Sequence, residues 1–205
     1  VEFARRHGVT IRVRSSFSND EGTIVTNQTE GDPMEHPVVS GVATDLSEAK
    51  ITVVGVPDVP GKAAEIFTIV AGTNANVDMI VQNVSAAATG LTDISFTLPK
   101  ADATAVLEAL SATQDRVGFL SLQHDDQIAK VSVVGAGMRS SAGVSAKLFT
   151  ALFEAGINIE MITTSEIRIS VVTRADTAAD ATRAIHTAFD LDGEDEAVVY
   201  GGTGR

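Results

Sequence analysis

The chain has 205 residues, of which 44% are hydrophobic and 20% charged, so it is long enough to bury a core and too apolar to be disordered. The 15 basic and 27 acidic residues leave a formal net charge of −12, which disfavours nucleic acid and anionic membranes as partners. The lack of cysteine excludes disulfides, thiolate nucleophiles and cysteine-bound zinc. With no signal-peptide pattern and no apolar run long enough to span a membrane, a cytoplasmic protein is expected.

The first 45 residues are predicted to end a preceding domain. They contain a strand-like segment, Val9 to Val13, then a polar turn and a second short strand-like segment, Thr23 to Val25, followed by a proline-containing loop. The chain opens on Val1 with a pattern typical of a helix end that leads into a strand. We therefore interpret residues 1–45 as the end of an earlier domain and a linker, and expect the chain to be part of a longer protein.

A repeat begins near residue 47. The run KITVVG that starts at Lys50 returns as KVSVVG at Lys130, 80 residues later, and NVDMI at Asn76 returns as NIEMI at Asn158, 82 residues later. Matching runs in the same order and at nearly the same spacing indicate two copies of one structural unit. We expect two similar domains, at residues 46–125 and 126–205.

Each copy predicts the same order of elements. In the first copy, a β-branched run from Lys50 ends at Pro57 as a strand ends in a turn, and apolar residues from Ala63 to Val70 recur at helical spacing. The other elements expected in this copy are strands from Asn76, at Asp93–Leu98 and at Gly118–Leu122, and a helix from Ala103 to Leu110. Those expected in the second copy are strands at Lys130, Ile159, Arg168–Thr173 and Ala197–Tyr200, and helices around Leu148 and from Ala178 to Ala188.

The order βαββαβ in each copy indicates the α+β class. Such a unit closes as a four-stranded antiparallel sheet with two helices on one face, which is the ferredoxin-like arrangement. The opposite face of each sheet then lacks a covering layer. We therefore expect the chain to self-associate, as a dimer in the simplest case.

The sequence contains no pattern of a catalytic or metal site. Gly135-Ala136-Gly137 follows a predicted strand, as in a dinucleotide-binding motif, but the third glycine of that motif is replaced by Ser140. The four histidines lack partners at metal-ligand spacing, and the paired carboxylates lie in predicted turns. We therefore expect neither a catalytic residue, a cofactor nor a metal on this chain.

The turn after the first repeat strand, Asp58-Val59-Pro60-Gly61, has features of a binding site. The free N–H groups and the positive dipole at the start of the next helix suit a carboxylate, and Asp58 suits an ammonium. An α-amino acid carries both charges, and Gly61 lets a ligand approach the backbone. A second interpretation, in which Asp58 only caps the helix, fits the same residues.

Three runs of sequence, together with the paired units, are similar to the regulatory half of bacterial aspartate kinase, in the monofunctional class of actinobacteria. They are QNVS at Gln82 to Ser85, MITTSEIRIS at Met161 to Ser170 and GEDEAVVYGGTGR at Gly193 to Arg205. The paired units resemble ACT domains, the modules that bind amino acids in biosynthetic enzymes. The run RRHGVTIRVRSSFSNDEGTIV, from Arg5 to Val25, resembles the last strands of that family's amino acid kinase domain.

The resemblance implies a regulatory subunit or domain that does not catalyse by itself. In the family, the holoenzyme phosphorylates aspartate with ATP, and end products of lysine, threonine and methionine biosynthesis inhibit it by feedback. ATP and magnesium then belong to a catalytic domain absent from this sequence, and the expected partners are a catalytic α subunit and a second copy of the chain. Some members make a separate β subunit from an internal start, and Met34 stands where such a start would lie.

The resemblance also implies the residues that bind effectors. The threonine site is expected at Asp58, Gly61, Ala63 and Gln82 of the first unit, with Asn158 and Ile159 of a second unit. The lysine site is expected near Ser165 and Glu166. Ser85 and Thr92 match positions associated with loss of feedback inhibition. The alternative function is a stand-alone ACT-type amino-acid sensor acting on another partner, although such a sensor has no need of a kinase-like opening segment.

Overall fold

The computed structural model describes residues 4, 7–17, 21–25, 39–83, 89–135 and 143–191. The chain divides into two compact units, Val1–His36 and Pro37–Arg205. In the first unit, β1 (Ile11–Val13) and β2 (Thr23–Val25) form an antiparallel hairpin. Both strands predicted in this segment are therefore confirmed.

The second unit contains two modules, and the first module is a four-stranded antiparallel sheet that packs against helices. Its elements are β4 (Glu48–Pro57), α1 (Lys62–Ala71), β5 (Ile80–Gln82), β6 (Leu91–Pro99), α2 (Lys100–Ser111), α3 (Gln114–Val117) and β7 (Ser121–Asp125). The strand order is β5-β6-β4-β7. Ile66 of α1 and Val106 of α2, which the helical spacing places on apolar faces, are fully buried against Ile51 and Phe96 of the sheet. The predicted βαββαβ order is confirmed for this module.

The second module repeats this architecture around a separate core. Its elements that follow the first module are β8 (Ile128–Val134), α4 (Val144–Glu154), β9 (Met161–Thr164), β10 (Arg168–Arg174), a 3-10 turn (Ala175–Thr177) and α5 (Ala178–Ala188). Leu148 of α4 and Ile185 of α5 are fully buried with Val131 and Val133 of β8. The helix predicted from Ala178 to Ala188 has the bounds of α5.

The fourth strand of the second sheet comes from a segment that the sequence analysis assigned to a linker. β3 (Gly41–Asp45) pairs antiparallel with β8, so the strand order is β3-β8-β10-β9. Val42 is buried in the second core, and the Thr44 hydroxyl lies 2.7 Å from that of Thr182 on α5. The expected boundary at residue 45 is therefore wrong for β3, because its side chains complete the second module. The strand predicted at Ala197–Tyr200 lies outside the described residues.

The first module is thus inserted between two strands of the second. β3 and β7 hold the same position in their respective sheets. A short turn leads from β3 into β4 of the first module, and another leads from β7 into β8 of the second. In the first turn, the Asp45 carboxylate accepts the N–H of Ser47 at 2.8 Å. In the second, the Asp125 carboxylate accepts the N–H of Gln127 at 2.8 Å. An aspartate therefore closes each of the two turns at which the chain changes sheet.

The two modules share a small buried cluster. Met79 and Met161, the methionines of the NVDMI and NIEMI runs, are buried together with Ile128 and Val172. Each copy of the motif therefore contributes its methionine to the interface. The repeat in the sequence corresponds to a reciprocal packing of the two modules.

Ion pairs surround this cluster. Lys130 of β8 donates to Asp78 at 2.6 Å and to the buried carboxylate of Glu48, while Lys50 of β4 pairs with Glu160. Burial alone would lower the pKa of Lys130, but its hydrogen bonds to Asp78 and Glu48 and their charges outweigh burial and raise that pKa. Lys130 is therefore held charged between the modules.

Candidate functional site

β4 carries a β-bulge near its end. The register between β4 and β6 shifts between Val53 and Val56, so that two residues of β4 face Asp93 alone. One of the two is Gly55, which has a φ of 68° and donates its N–H to the Asp93 carboxylate at 2.8 Å. A Cβ atom at Gly55 would lie 2.5 Å from the Leu120 side chain, so glycine is required both by the space and by the backbone conformation.

The helix that follows the bulged strand begins without a side-chain cap. The N-cap residue of α1 is Gly61, with a φ of 97° and a ψ of −16°, and no side chain makes a capping hydrogen bond. The interpretation of Asp58 as a helix cap is therefore wrong. The N–H of Asp58 donates to the Gly90 carbonyl at 2.8 Å, and in the described part of the chain its exposed carboxylate makes no hydrogen bond or ion pair. The N–H of Lys62 at the helix start donates to the Val59 carbonyl at 3.4 Å, and no side chain of the described residues caps the rest of the first turn, where the helix dipole is positive.

A pocket of about 320 Å³ lies beside this turn. The residues that line it are Val56, Pro57, Asp58, Val59, Pro60, Gly61, Lys62, Ala63, Gln82 and Ile94. Val56 and Ile94 are fully buried and give the pocket apolar surface. Asp58, Lys62 and Gln82 add a carboxylate, an ammonium and an amide. The pocket is therefore in the size range of small-molecule sites and combines apolar surface with a few polar groups.

Four of the predicted threonine-site residues line this one pocket, namely Asp58, Gly61, Ala63 and Gln82. The other two, Asn158 and Ile159, precede β9 in the second module and are not among its lining residues. Asn158 is exposed, and Ile159 is half-buried against the second core. A single chain thus brings together the first-unit half of the predicted site.

The predicted lysine-site residues lie elsewhere, in the turn between β9 and β10. Ser165 and Glu166 are both exposed there, and the Ser165 N–H donates to the Arg168 carbonyl at 2.7 Å. Neither residue lines the pocket. The second candidate site is therefore a surface turn of the second module.

Thr92 does not line the pocket but contacts the chain next to residues that do. Its side chain is 5% exposed, and its hydroxyl donates to the carbonyl of Asn83, the residue that follows Gln82. Thr92 also lies opposite Val56 in the β4–β6 register. It therefore links β6 to the chain just after β5, and both strands carry pocket residues. Ser85, the other position that the resemblance links to feedback, lies outside the described residues.

Sequence reasoning missed four of the residues that shape the pocket, namely Val56, Lys62, Ile94 and Asp93. Lys62 directly follows the predicted turn, and Ile94 is an apolar residue of the third strand, so both carried a local signal. Asp93 carried a weaker signal, because it stood at the start of a predicted strand without a visible partner. Its role depends on the bulge of another strand, which local patterns do not show.

The described residues contain no cluster of histidine, aspartate and glutamate that could hold a metal ion. None of their helices is long and apolar enough to cross a membrane. What the pocket provides is one carboxylate, one helix N-terminus, one amide and a lysine already paired with Glu65 at 3.1 Å. Such a set suits the binding of a small zwitterion.

Comparison with known proteins shows the family to which these modules belong. The ACT domain family model matches residues 51–114 and 131–189. The chain is 51% identical over 205 residues to an aspartokinase of Corynebacterium glutamicum and 53% identical over 205 residues to one of Mycolicibacterium smegmatis. Each match covers 100% of this chain and 49% of the relative, so the chain spans about half the length of these curated relatives.

Solved structures similar to this chain are also aspartokinase subunits. A crystal structure of aspartokinase alpha and beta subunits is 50% identical, with a TM-score of 0.70, and the match covers 74% of this chain and 99% of that chain. The ligand-free regulatory subunit of aspartate kinase from Thermus thermophilus is 44% identical, also with a TM-score of 0.70, and covers the same 74% and 99%.

Proposed function

The chain belongs to the ACT domain family, as the regulatory part of an aspartokinase, and from this premise we propose that it binds end-product amino acids to inhibit a kinase by feedback. The pocket beside Asp58 carries the proposal. It joins a carboxylate and a helix N-terminus, neither of which has a side-chain partner among the described residues, so that both charges of an α-amino acid meet a complementary group. Threonine is the proposed ligand of this pocket.

Each group of threonine has a proposed contact. Its ammonium meets the Asp58 carboxylate, and its carboxylate lies at the N–H groups of the first turn of α1, after Gly61. Its hydroxyl meets the side-chain amide of Gln82. The buried surfaces of Val56 and Ile94 accommodate its methyl group.

The remaining half of the site comes from a second copy of the chain. Asn158 and Ile159 do not line the pocket of their own chain, which supports a homodimer in which they close the partner's pocket with backbone groups. Light scattering in the presence of threonine should give about twice the monomer mass of 21.3 kDa. A monomer mass under those conditions would contradict the dimer.

Lysine is proposed as a second effector, bound near Ser165 and Glu166. These residues lie in an exposed turn of the second module, away from the residues that line the pocket. Separate sites allow two end products to act together. Glu166 would supply the negative charge that a lysine side chain requires.

The regulated reaction is the transfer of a phosphoryl group from ATP to the β-carboxylate of aspartate, the first step toward lysine, threonine and methionine. A catalytic α subunit would hold ATP and magnesium, and the solved structure with alpha and beta subunits supports such a partner. The purified chain should therefore form no aspartyl phosphate. Formation of this product by the chain alone would contradict a purely regulatory role.

Calorimetric titration of the chain with threonine, lysine, methionine and isoleucine tests the proposal. Threonine should bind, and isoleucine, which lacks the hydroxyl, should bind more weakly. Addition of the chain to a catalytic aspartate kinase subunit should then confer inhibition by threonine. Threonine binding without any effect on such a subunit would favour the stand-alone sensor, and no threonine binding would refute the proposed ligand.

A further inference from the structure

The two copies of the repeat differ where their first strands end, although the sequence there is nearly the same. KITVVG of β4 and KVSVVG of β8 both finish on a glycine, Gly55 and Gly135. Gly55 lies in the bulge, in a left-handed conformation. Gly135 instead donates its N–H to the Ile167 carbonyl at 3.0 Å, and β8 pairs with β10 without a shift of register.

The two copies also differ in the residue on the facing strand. The two residues of the bulge face Asp93, whereas the residue opposite the end of β8 is Arg168. A carboxylate accepts hydrogen bonds, and a guanidinium can only donate them. Arg168 lies 3.6 Å from Asp78. Because the guanidinium cannot accept a hydrogen bond, the N–H of Gly135 donates to a backbone carbonyl instead. The N–H of a bulged residue has lost its ladder partner, and Asp93 replaces that partner for Gly55.

The bulge determines which side chains reach the pocket. Val56, the residue after Gly55, is fully buried and lines the pocket, and Asp58 follows two residues later. Side chains alternate between the two faces of a strand, so removal of one extra residue would turn each following side chain to the opposite face. Val56 would then leave the core, and the turn with Asp58, which follows β4 directly, would start from a shifted strand end.

We propose, taking the threonine site of the proposed function as given, that Asp93 is a positioning residue for effector binding. By accepting the N–H of Gly55, its carboxylate holds the bulge that presents Val56 and Asp58 to the ligand. The Leu120 side chain lies next to Gly55, where an added Cβ atom would come within 2.5 Å of it. The repeat contains its own control, because the copy with arginine at this position shows no shift of register in its described pairs, which reach Val134.

Three variants of the full chain test the role of Asp93 by threonine titration. Asp93→Ala removes the acceptor and should lower affinity about three- to tenfold, the effect of losing one solvent-accessible hydrogen bond to a charged group. Asp93→Asn keeps an acceptor oxygen and should stay within about twofold of the wild type. Asp115→Ala removes an exposed carboxylate of α3 and should have no effect. Wild-type affinity in a folded Asp93→Ala chain would overturn the proposal.

Amide spectra of the ligand-free chain, labelled with ¹⁵N glycine, separate this role from the identity of the ligand. The resonances of Gly55 and Gly61 should move in Asp93→Ala, and that of Gly61 should stay in place in Asp93→Asn. If the wild type does not bind threonine, the proposed function fails, and these resonances still decide the role of Asp93. An unmoved Gly61 resonance overturns it. Asp93→Arg, which copies the residue of the second module, replaces Asp93→Ala if that variant does not fold.

Discussion

Lys130 and Asp78 join the two modules through a hydrogen-bonded ion pair, with Nζ 2.6 Å from Oδ2. The repeat assigns Lys50 as the counterpart of Lys130 and Glu160 as the counterpart of Asp78, and those two residues are also paired. The two links therefore cross the interface in opposite directions. Such reciprocity is expected when two copies of one unit pack through the same surface.

Replacement of Lys130 by methionine should destabilise the chain by about 3 kcal/mol. The substitution leaves the buried carboxylate of Glu48 without its cation, whereas Asp78 keeps Arg168 at 3.6 Å, and breaking a buried ion pair in this way is costly. Urea unfolding at pH 7 measures the change. Arg183→Met, which removes an exposed pair with Asp180, is the control and should cost less than about 1 kcal/mol. Similar losses in both variants would contradict the prediction.

The free energy of unfolding should fall at alkaline pH. Burial opposes the charge of Lys130, but its hydrogen bonds to Asp78 and Glu48 raise its pKa above 10.5. A group whose pKa is raised in the folded state contributes its full stability below its unfolded pKa and loses it as the pH rises through the folded value. Unfolding curves above pH 10.5 should therefore show a steeper loss for the wild type than for Lys130→Met. Equal pH dependence of the two proteins would refute this assignment.

Asp58→Ala should weaken threonine binding by about 2 to 5 kcal/mol, which is roughly 30-fold to a few thousand-fold in affinity. The variant leaves the ammonium of the ligand without its charged partner. Stability should change little, because within the described residues the Asp58 carboxylate makes no hydrogen bond or ion pair. Calorimetric titration measures the affinity, and Asp176→Ala, at an exposed position of the second module, is the control. Unchanged affinity in Asp58→Ala would remove this residue from the site.

Alanine at Gly61 and at Gly143 should cost the same stability but affect binding differently. The two glycines are the N-cap residues of α1 and α4, with φ of 97° and 98°, and a Cβ atom added at either would meet no other atom within 4 Å. Each substitution should therefore cost about 1 to 3 kcal/mol of backbone strain. Gly61 lines the pocket, so Gly61→Ala should also weaken the binding of threonine. Thermal unfolding measures the two losses of stability, and titration measures the affinity for threonine. Unequal losses of stability, or equal losses of affinity, would contradict the prediction.

Thr92→Val should weaken threonine binding, whereas Thr92→Ser should not. Valine keeps the volume of threonine but removes the hydroxyl that donates to the Asn83 carbonyl next to Gln82. The loss of this hydrogen bond should cost about 1 kcal/mol of stability and loosen the Gln82 side of the pocket. Serine retains the donor. Titration and urea unfolding of both variants measure the two effects, and equal behaviour of valine and serine would show that the hydroxyl is not responsible.

The order of elements was predictable because it rests on local periodicity within a repeated sequence. The helical spacing from Ala63 to Val70 and the β-branched runs at Lys50 and Lys130 each identify one element without knowledge of the others. The place of β3 was not predictable in this way. Its five residues have no marked alternation, and their partner strand lies beyond the whole first module in the chain. Pairing at such a distance is determined by tertiary contacts, which outweigh local preference.

The first-unit half of the candidate site was predictable for a related reason. Asp58, Gly61 and Ala63 lie within one turn and the helix that follows it, so their proximity follows from the chain itself. The bulge at Gly55 was not predictable, because the same run VVG in the second copy pairs with the facing strand without a shift of register as far as Val134. The bulge is accompanied by a different residue on the facing strand, Asp93 in place of Arg168, and sequence patterns along one strand carry no information on its neighbour.

The insertion of the first module also has a consequence for the order of folding. β3 and β8 are adjacent strands, with Asp45 opposite Lys130, yet the entire first module separates them along the chain. Closing so long a loop in an unfolded chain carries an entropic cost and delays the strand pairing. Folding of the first module brings β4 and β7 together, with Lys50 opposite Asp125, and thereby shortens the effective loop. Mutations in the first core should therefore slow refolding more than mutations in the second core. During synthesis, the second sheet should be the last to form.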